Sequence, residues 1–170
     1  MTANYKLDAM FEIRKYLWDN LSLYKVFDED NYYSDALGDT IIPIIPVQQA
    51  PEMNQFLSGK KHIVYDKVGL SYEDNWLICC EQILFTIYST DVSEIAEIRN
   101  LMTDLFRRMD DSARDVNRSE NINNKFKFHS IFVADISPTA PSEELQGFLS
   151  ADVTIEVKYS RITDQVGRFL

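Results

Sequence analysis

The segment Trp76-Leu-Ile-Cys-Cys-Glu-Gln-Ile-Leu-Phe-Thr-Ile-Tyr88 decides the fold, because it has the pattern of one long β-strand that is apolar on both faces. One face would carry Trp76, Ile78, Cys80 and Leu84, and the other Leu77, Cys79, Ile83, Phe85 and Ile87. Side chains alternate between faces along a strand, so a segment that is apolar on both is expected to be covered on both sides. The sequence therefore predicts the central strand of a sheet.

A capped amphipathic helix is predicted directly after this strand. Asp91 is placed to cap the first free amides, and Glu94, three residues later, to reach back in a capping box. Apolar residues then recur every three or four positions, at Val92, Ile95, Ile98, Met102, Leu105 and Met109. This spacing predicts a helix that docks on the sheet through one narrow face, with the methionines serving packing and not a cofactor site.

The first third of the chain predicts a helix, a loop and an edge strand. Apolar residues at helical spacing predict an amphipathic helix over residues 7–21, and the acidic, aromatic residues 28–35 have no period and predict a loop. In residues 41–47, Pro43 and Pro46 remove two amide donors, which favours an edge strand or an extended arm. Residues 61–66 predict a further strand.

The last third predicts a polar loop followed by two strands. Residues 110–124 are hydrophilic throughout and predict a loop. The following strands are expected to pair antiparallel, each with one buried face, formed in the first by Phe126, Phe128, Phe132 and Ala134 and in the second by Leu149, Ala151, Val153, Ile155, Val157 and Tyr159. The predicted fold is a single α+β domain over residues 1–170, with a mixed, mainly antiparallel sheet of about four to five strands packed against an N-terminal helix and one main helix.

Composition argues against a general nucleic-acid-binding surface. The chain has 170 residues and a formal charge of −10, from 27 acidic and 17 basic residues, whereas phosphate affinity comes from clustered Lys and Arg. The basic groups Lys60-Lys61, Arg107-Arg108 and Lys125-Phe-Lys127 are more typical of solvated faces. The N-terminus has no apolar core behind a basic start, and no run reaches about 20 apolar residues. We therefore expect a protein made and kept in the cytoplasm, with no membrane contact.

The few residues that carry metal or nucleophile chemistry are not arranged for it. The adjacent Cys79 and Cys80 point to opposite faces of the predicted strand and have no further soft ligands nearby, so small core side chains are expected. His62 and His129, the two histidines, are expected to be surface or strand residues. The five glycines do not form a phosphate loop. We expect no catalytic residues, no metal and no cofactor.

One pattern resembles an active site. Asp135, followed after a loop by Glu156-Val-Lys158, is similar to the acidic residue and Glu-x-Lys signature of a large nuclease superfamily. That resemblance implies carboxylates that hold a divalent metal and a lysine that positions the attacking water. The same three residues also suit the wet face of a strand. A metal-dependent nuclease is therefore the alternative from a different functional class.

The order of elements and three short motifs resemble the tail terminator, or tail completion, proteins of long-tailed bacteriophages. In that family a leading helix precedes an "x-Ile-Val-Tyr" strand, a strand turns into the main helix through an "Ile-Tyr-Ser-x-Asp" segment, and the last strand is of the "Ala-Asp-Val-x-Ile" kind. His62-Ile-Val-Tyr-Asp66, Ile87-Tyr-Ser-Thr-Asp91 and Ala151-Asp-Val-Thr-Ile155 hold those places here. The likeness spans most of the chain, although the acidic loop at residues 28–35 has no counterpart.

The resemblance implies a structural virion protein and no catalysis. Such proteins form a ring, usually of six copies, that sits on the last ring of the tail tube, stops its growth and presents a surface to the head-side neck connector. The implied partners are further copies of the chain, the tail tube protein, the neck or head-completion connector and, where one is present, a sheath protein, in the tail–neck region of the virion. A head-completion or neck connector protein is a closely related alternative.

The negative charge is compatible with a ring through which DNA passes. Six copies would carry 6 × −10 = −60 charges, and an acidic lumen would let genomic DNA pass without specific binding. The hypothesis places either residues 28–35 or the polar-loop residues Asp110, Asp111, Asp115 and Glu120 at the channel or its mouth.

Overall fold

The computed structural model of the chain describes residues 9–72, 78–119 and 126–161, which form an α+β fold. This confirms the predicted fold class. The helices are α1 (Ala9–Leu23), α2 (Ala50–Met53), α3 (Val92–Phe106) and α4 (Asp110–Asn117), with two short 3-10 helices at Glu29–Tyr32 and Val47–Gln49. The strands are β1 (Tyr33–Ser34), β2 (Asp39–Thr40), β3 (Ile44–Pro46), β4 (His62–Tyr72), β5 (Ile78–Ser89), β6 (Phe126–Ile136), β7 (Ala140–Pro141) and β8 (Leu149–Arg161).

The main sheet has the strand order β3-β4-β5-β8-β6, with β7 paired to β8 as a sixth strand. Only β3 and β4 run parallel, while β4, β5, β8 and β6 are antiparallel neighbours. The sheet is thus mixed and mainly antiparallel, and slightly larger than the four to five strands predicted. The predicted pairing of the last two long strands is confirmed, as is the edge position of β3 beside its prolines.

The strand β5 is central, as predicted, but only one of its faces is fully covered. Ile83, Phe85 and Ile87 are at most 1% exposed on the face that packs against the helices. Side chains of the opposite parity, such as Leu84 and Thr86, are half-buried on a face that we call the open face. The expectation of cover on both sides is therefore wrong for the chain alone. Trp76 and Leu77 lie outside the described residues.

The helix α3 begins as predicted but its cap is built differently. The Asp91 carboxylate accepts the Ser93 N–H at 2.9 Å, which confirms the N-cap. Glu94 does not reach the Asp91 amide. Instead the Asp91 N–H donates to Ser89 Oγ (3.1 Å), and the Ser89 hydroxyl donates to Glu94 (2.6 Å). Ser89, at the end of β5, therefore bridges the Asp91 amide and the Glu94 carboxylate, which bond directly in a capping box.

The buried stripe of α3 follows the true helical period and departs from the predicted one at both ends. Ile95, Ile98, Met102 and Phe106 are fully buried, whereas Val92 is exposed and Leu105 only half-buried. Met109 lies beyond the end of the helix, exposed, with a φ of 51° that non-glycine residues rarely adopt. The chain turns there into α4.

Two segments predicted to be loops contain regular structure. Residues 110–124 were expected to be irregular, but α4 occupies Asp110–Asn117 and buries Ser112, Ala113 and Val116 against the core. Residues 28–35 form a 3-10 helix capped by Asp28 and the start of a small β1–β2 hairpin. Tyr32 is buried and donates its hydroxyl to the Lys61 carbonyl oxygen. A short-range side-chain cap thus organises residues 28–35, whereas α4 begins without one and is held by the burial of one face.

The strands β4 and β6 differ from expectation because of bulges. The strand β4 continues to Tyr72, with an irregularity between Lys67 and Gly69. The strand β6 has two, between Phe128 and Ser130 and between Val133 and Asp135. Each extra residue exchanges the faces of the side chains that follow it. Ile131 is therefore buried, while Phe132 turns to the open face and Ala134 is exposed, contrary to the predicted alternation.

The N-terminal helix is confirmed from Ala9 onward. Of the apolar residues that predicted this helix, Met10, Leu17, Trp18 and Leu21 are buried and Phe11 is half-buried, while Ile13 is buried in addition. The charged residue Glu12 is also buried. The expected residue Leu7 lies outside the described residues.

Candidate interaction surfaces

The three residues of the nuclease-like pattern lie on the open face of the sheet. Asp135 is paired with Thr154 across β6 and β8, and Glu156 with Phe132, so both carboxylates point away from the helices. Glu156 Oε1 accepts the Cys80 thiol (3.2 Å), its Oε2 is 3.5 Å from the Gln82 amide nitrogen, and Asp135 accepts the Ile136 N–H (2.9 Å). Within the described residues, no three Asp, Glu, His or Cys side chains cluster as a metal site. The three residues therefore share one face of the sheet but do not form a set of metal ligands.

The two cysteines have different surroundings, and only one behaves as a core side chain. Cys79 is buried on the helix-facing side, as expected. Cys80 is half-buried on the open face and donates to Glu156, so its expected core position is wrong. Burial and the neighbouring Glu156 carboxylate raise the pKa of the Cys80 thiol to about 11. Such a thiol is protonated at neutral pH and a poor nucleophile.

The two histidines also differ. His129 is half-buried, with Nε2 2.6 Å from Ser160 Oγ. His62 is 3% exposed, stacks on Tyr88 at 5.1 Å between ring centroids, and meets the edge of Phe148 at 5.7 Å. Its Nδ1 lies 2.9 Å from the Lys60 carbonyl oxygen. Burial lowers the pKa of His62, which favours the neutral imidazole.

A groove with a volume of about 230 Å³ opens beside this histidine on the open face. One wall is the loop of residues 142–148, which Tyr88 ties down by donating its hydroxyl to Glu144 at 3.0 Å. The other wall is the segment around α2. The lining residues are Val47, Ala50, Pro51, Asn54, His62, Val64, Tyr88, Glu144 and Leu145. This groove was not predicted, because its lining residues come from four separate segments of the chain and no local sequence pattern links them.

The predicted basic groups are largely engaged within the chain. Lys60 donates to the Asn31 carbonyl oxygen (2.7 Å) and lies over the Phe56 ring, while Lys61 is 3.8 Å from Glu94. Arg107 pairs with Asp104 at 3.4 Å and Arg108 with Asp115 at 2.6 Å. These contacts support the interpretation of solvated faces. Lys125 lies outside the described residues.

The acidic residues proposed for the channel lie on two separate elements. Asp110, Asp111 and Asp115 are on α4, where Asp111 pairs with Arg114 at 3.0 Å and Asp115 with Arg108. Residues 28–35 are at the β1–β2 hairpin. Glu120 lies outside the described residues.

The outer edge of β6 is occupied by the chain itself. The Asn117 carboxamide at the end of α4 accepts the Phe128 N–H (2.9 Å) and donates to the Phe128 carbonyl (2.8 Å). The Met109 carbonyl accepts the Ile131 N–H at 3.3 Å. Because such edge groups otherwise recruit further strands, α4 protects this side of the sheet from pairing.

The opposite edge is different. The strand β3 pairs only with residues 63–65 of β4, and no other described strand lies on that outer edge. Beyond it, Val68, Leu70 and Tyr72 expose 51, 59 and 43% of their surface. We call these three residues the β4 edge patch. The β4 edge patch was not predicted, because the strand was expected to end at Asp66. The alternation of Val68, Leu70 and Tyr72 with Gly69 and Ser71 is nevertheless a strand signal.

Comparison with known proteins does not assign the chain to a family. The chain matches no protein-family model and no curated protein sequence. Within the residues that the structure describes, none of the helices has the length and apolar character needed to cross a membrane.

Proposed function

We propose that this protein is a structural, ring-forming terminator of a bacteriophage tail. About six copies would close into a ring on the end of the tail tube and offer the opposite surface to the head-side neck connector. The sheath, where one is present, would be a further neighbour, and the site of action would be the tail–neck region of the virion. The observation that carries the proposal is the exposed β4 edge patch.

The contrast between the two sheet edges supports a contact between unlike surfaces. Part of the β6 edge is covered, by Asn117 of α4 at Phe128 and by Met109 at Ile131, which disfavours the joining of two copies through that stretch. The β4 edge leaves three large apolar side chains in solvent, which favours burial against another protein. A contact between two different surfaces, repeated around an axis, closes a ring when the rotation allows it.

The charge of the chain supports the expected passage of DNA. A ring of six would carry about −60 charges, and phosphates are repelled where cations are absent or paired. On α4, Asp110 and Asp111 are exposed in the first turn, and Asp35 and Asp39 are exposed at the β1–β2 hairpin. We propose that one of these two acidic groups faces the channel.

The assembly test compares two exposed leucines. Mass photometry of the purified protein is expected to show a species near six times the 19.8 kDa chain mass, and negative stain a ring with a central hole. Leu70→Asp is expected to abolish that species, because it places a charge in the β4 edge patch. Leu37→Asp is the matched control, since Leu37 is 72% exposed and lies on the separate β1–β2 hairpin.

The assembly test is repeated with added tail tubes, because a terminator ring can require the end of a tube in order to assemble. A terminator is expected to bind tube ends, whereas a neck or head-completion connector of similar size would bind the head-side vertex. A protein that remains a monomer with and without tubes, or a Leu70→Asp variant that assembles like the parent, would contradict the proposal.

A further inference from the structure

The groove beside His62 has an apolar floor and a small set of polar groups at defined places. Val64, Ala50 and Leu145 supply apolar surface, and the Tyr88 ring forms the wall behind His62. Pockets of this kind bind ligands through apolar contact and gain specificity from the few polar groups that point into them.

Besides the Tyr88 hydroxyl, which donates to Glu144, the polar side chains of the groove are His62, Glu144 and Asn54, whose carboxamide can both donate and accept. Since the Lys60 carbonyl oxygen can only accept, the neutral His62 ring carries its proton on Nδ1 and presents a lone pair on Nε2. Glu144 accepts from the Tyr88 hydroxyl through Oε2 and has a second carboxylate oxygen at the rim. None of the lining residues is a lysine or an arginine. The groove therefore combines one negative charge, a neutral acceptor and an apolar floor.

We propose that this groove binds an arginine side chain presented by a partner polypeptide. The aliphatic stem would lie on Val64 and Leu145, and the guanidinium would donate to His62 Nε2 and to the Glu144 carboxylate. Arginine fits because its planar head carries five N–H donors and no acceptor, and it is less strongly hydrated than an ammonium group. The proposal does not depend on the ring, so either can fail without the other.

The binding should depend on pH through His62. Tyr88 on β5 stacks on its ring and Glu144 in the 142–148 loop lines the same groove, while the lining residues of the α2 segment are uncharged and Lys60 contributes its carbonyl oxygen. Burial lowers the pKa of His62 below its usual value near 6.5, so the ring is neutral at neutral pH. Acidification through that lowered pKa converts Nε2 to a donor and adds a positive charge. Arginine binding is therefore expected to be strongest above about pH 6.5 and to weaken below it.

The test uses Nα-acetyl-arginine amide as the probe and imidazole ¹⁵N NMR as the readout. The chain has only two histidines, so a His129→Gln variant assigns the signals. We expect a saturable shift at His62 with a Kd on the order of 1 mM, as suits a single side chain, and little change at His129. Binding should weaken as the pH is lowered from about 7.5 through the lowered pKa of His62.

Two controls separate charge recognition from simple filling of the groove. Nα-acetyl-norleucine amide has an aliphatic stem without the cation and should bind at least about fivefold more weakly. Glu144→Gln should weaken the arginine probe by about threefold to tenfold, whereas Glu143→Gln, at the exposed neighbouring residue, should not. Equal binding of both probes, equal effects of the two substitutions, or no response at His62 would overturn the proposal.

Discussion

The two faces of one sheet are built from different chemistry. On the helix-facing side, alternate residues of β5 and β8, including Phe85, Val153 and Ile155, are completely buried among apolar neighbours. On the open face, most of the residues between them are half-buried, and several are paired through polar groups, as in the 2.9 Å bond from Thr86 to Asp152. Burial of apolar area dominates folding free energy, so the first face should set stability. The second face keeps chemical groups that can meet a partner.

One residue breaks the pattern of the helix-facing side. Glu81 on β5 is 5% exposed, and its Oε1 accepts the hydroxyl of Tyr159, itself 1% exposed, at 2.7 Å. Its other oxygen is 3.9 Å from Lys67 Nζ. A buried carboxylate requires such partners, because its desolvation is costly. That second oxygen is buried without a hydrogen bond, so the Glu81 carboxylate is only partly satisfied by its partners.

The largest difference between the faces should appear when adjacent apolar residues of β5 are truncated. Phe85→Ala is expected to lower the free energy of unfolding by about 3 to 5 kcal/mol, because it leaves a cavity at a fully buried site. Leu84→Ala, one residue away on the open face, should cost only about 1 kcal/mol, since Leu84 is half-buried. Urea unfolding of both variants measures the two values. A loss below about 1 kcal/mol for Phe85→Ala would refute its central, covered position.

A smaller difference is expected when one hydroxyl is removed from each face. Tyr159→Phe should lower the unfolding free energy by about 1 to 3 kcal/mol, because the buried Glu81 loses its donor. Thr86→Val, which removes the donor to the half-buried Asp152, should cost about 0.5 to 1 kcal/mol. Thermal or urea unfolding compares the pair. Equal losses would mean that the open face is as well shielded from water as the helix-facing side.

The sequence predicted best where the side-chain period is uninterrupted. Along β8, Ala151, Val153, Ile155, Val157 and Tyr159 alternate with polar residues, and all five are buried as predicted. Prediction failed in β6, where the bulge between Phe128 and Ser130 exchanges the faces, so that Ile131 is buried and Phe132 turns to the open face. A bulge depends on how two strands fit together, and a single strand's pattern does not reveal it.

Tertiary contact also explains the other misses. The helix α4 is polar in sequence because only Ser112, Ala113 and Val116 face the core, and small or hydroxyl-bearing residues give little periodic signal. The groove at His62 is formed by residues that are distant in sequence. The sequence shows each residue but does not show that they lie close together in the fold. The β4 edge patch is the one surface that a longer reading of the alternation would have found.

The smallest predicted effect concerns the reactivity of one thiol on the open face. Cys80 donates to Glu156, and burial together with this carboxylate raises the pKa of the thiol to about 11. Glu156→Gln removes the negative charge, so the pKa of Cys80 should fall and its alkylation by iodoacetamide near pH 8 should accelerate severalfold, because the thiolate is the reacting form. A Cys79→Ala background leaves a single thiol to follow by mass spectrometry.

Asp152→Asn is the matched control for this effect, because it neutralises a carboxylate on the same strand and face that bonds to Thr86 and not to Cys80. If the two variants accelerate alkylation equally, the rate reports general charge or local opening of the sheet and not the bond to Glu156. If only Glu156→Gln does so while the unfolding free energy stays unchanged, the carboxylate holds the thiol protonated. The open face would then maintain its polar pairs at little cost to the stability that the helix-facing side provides.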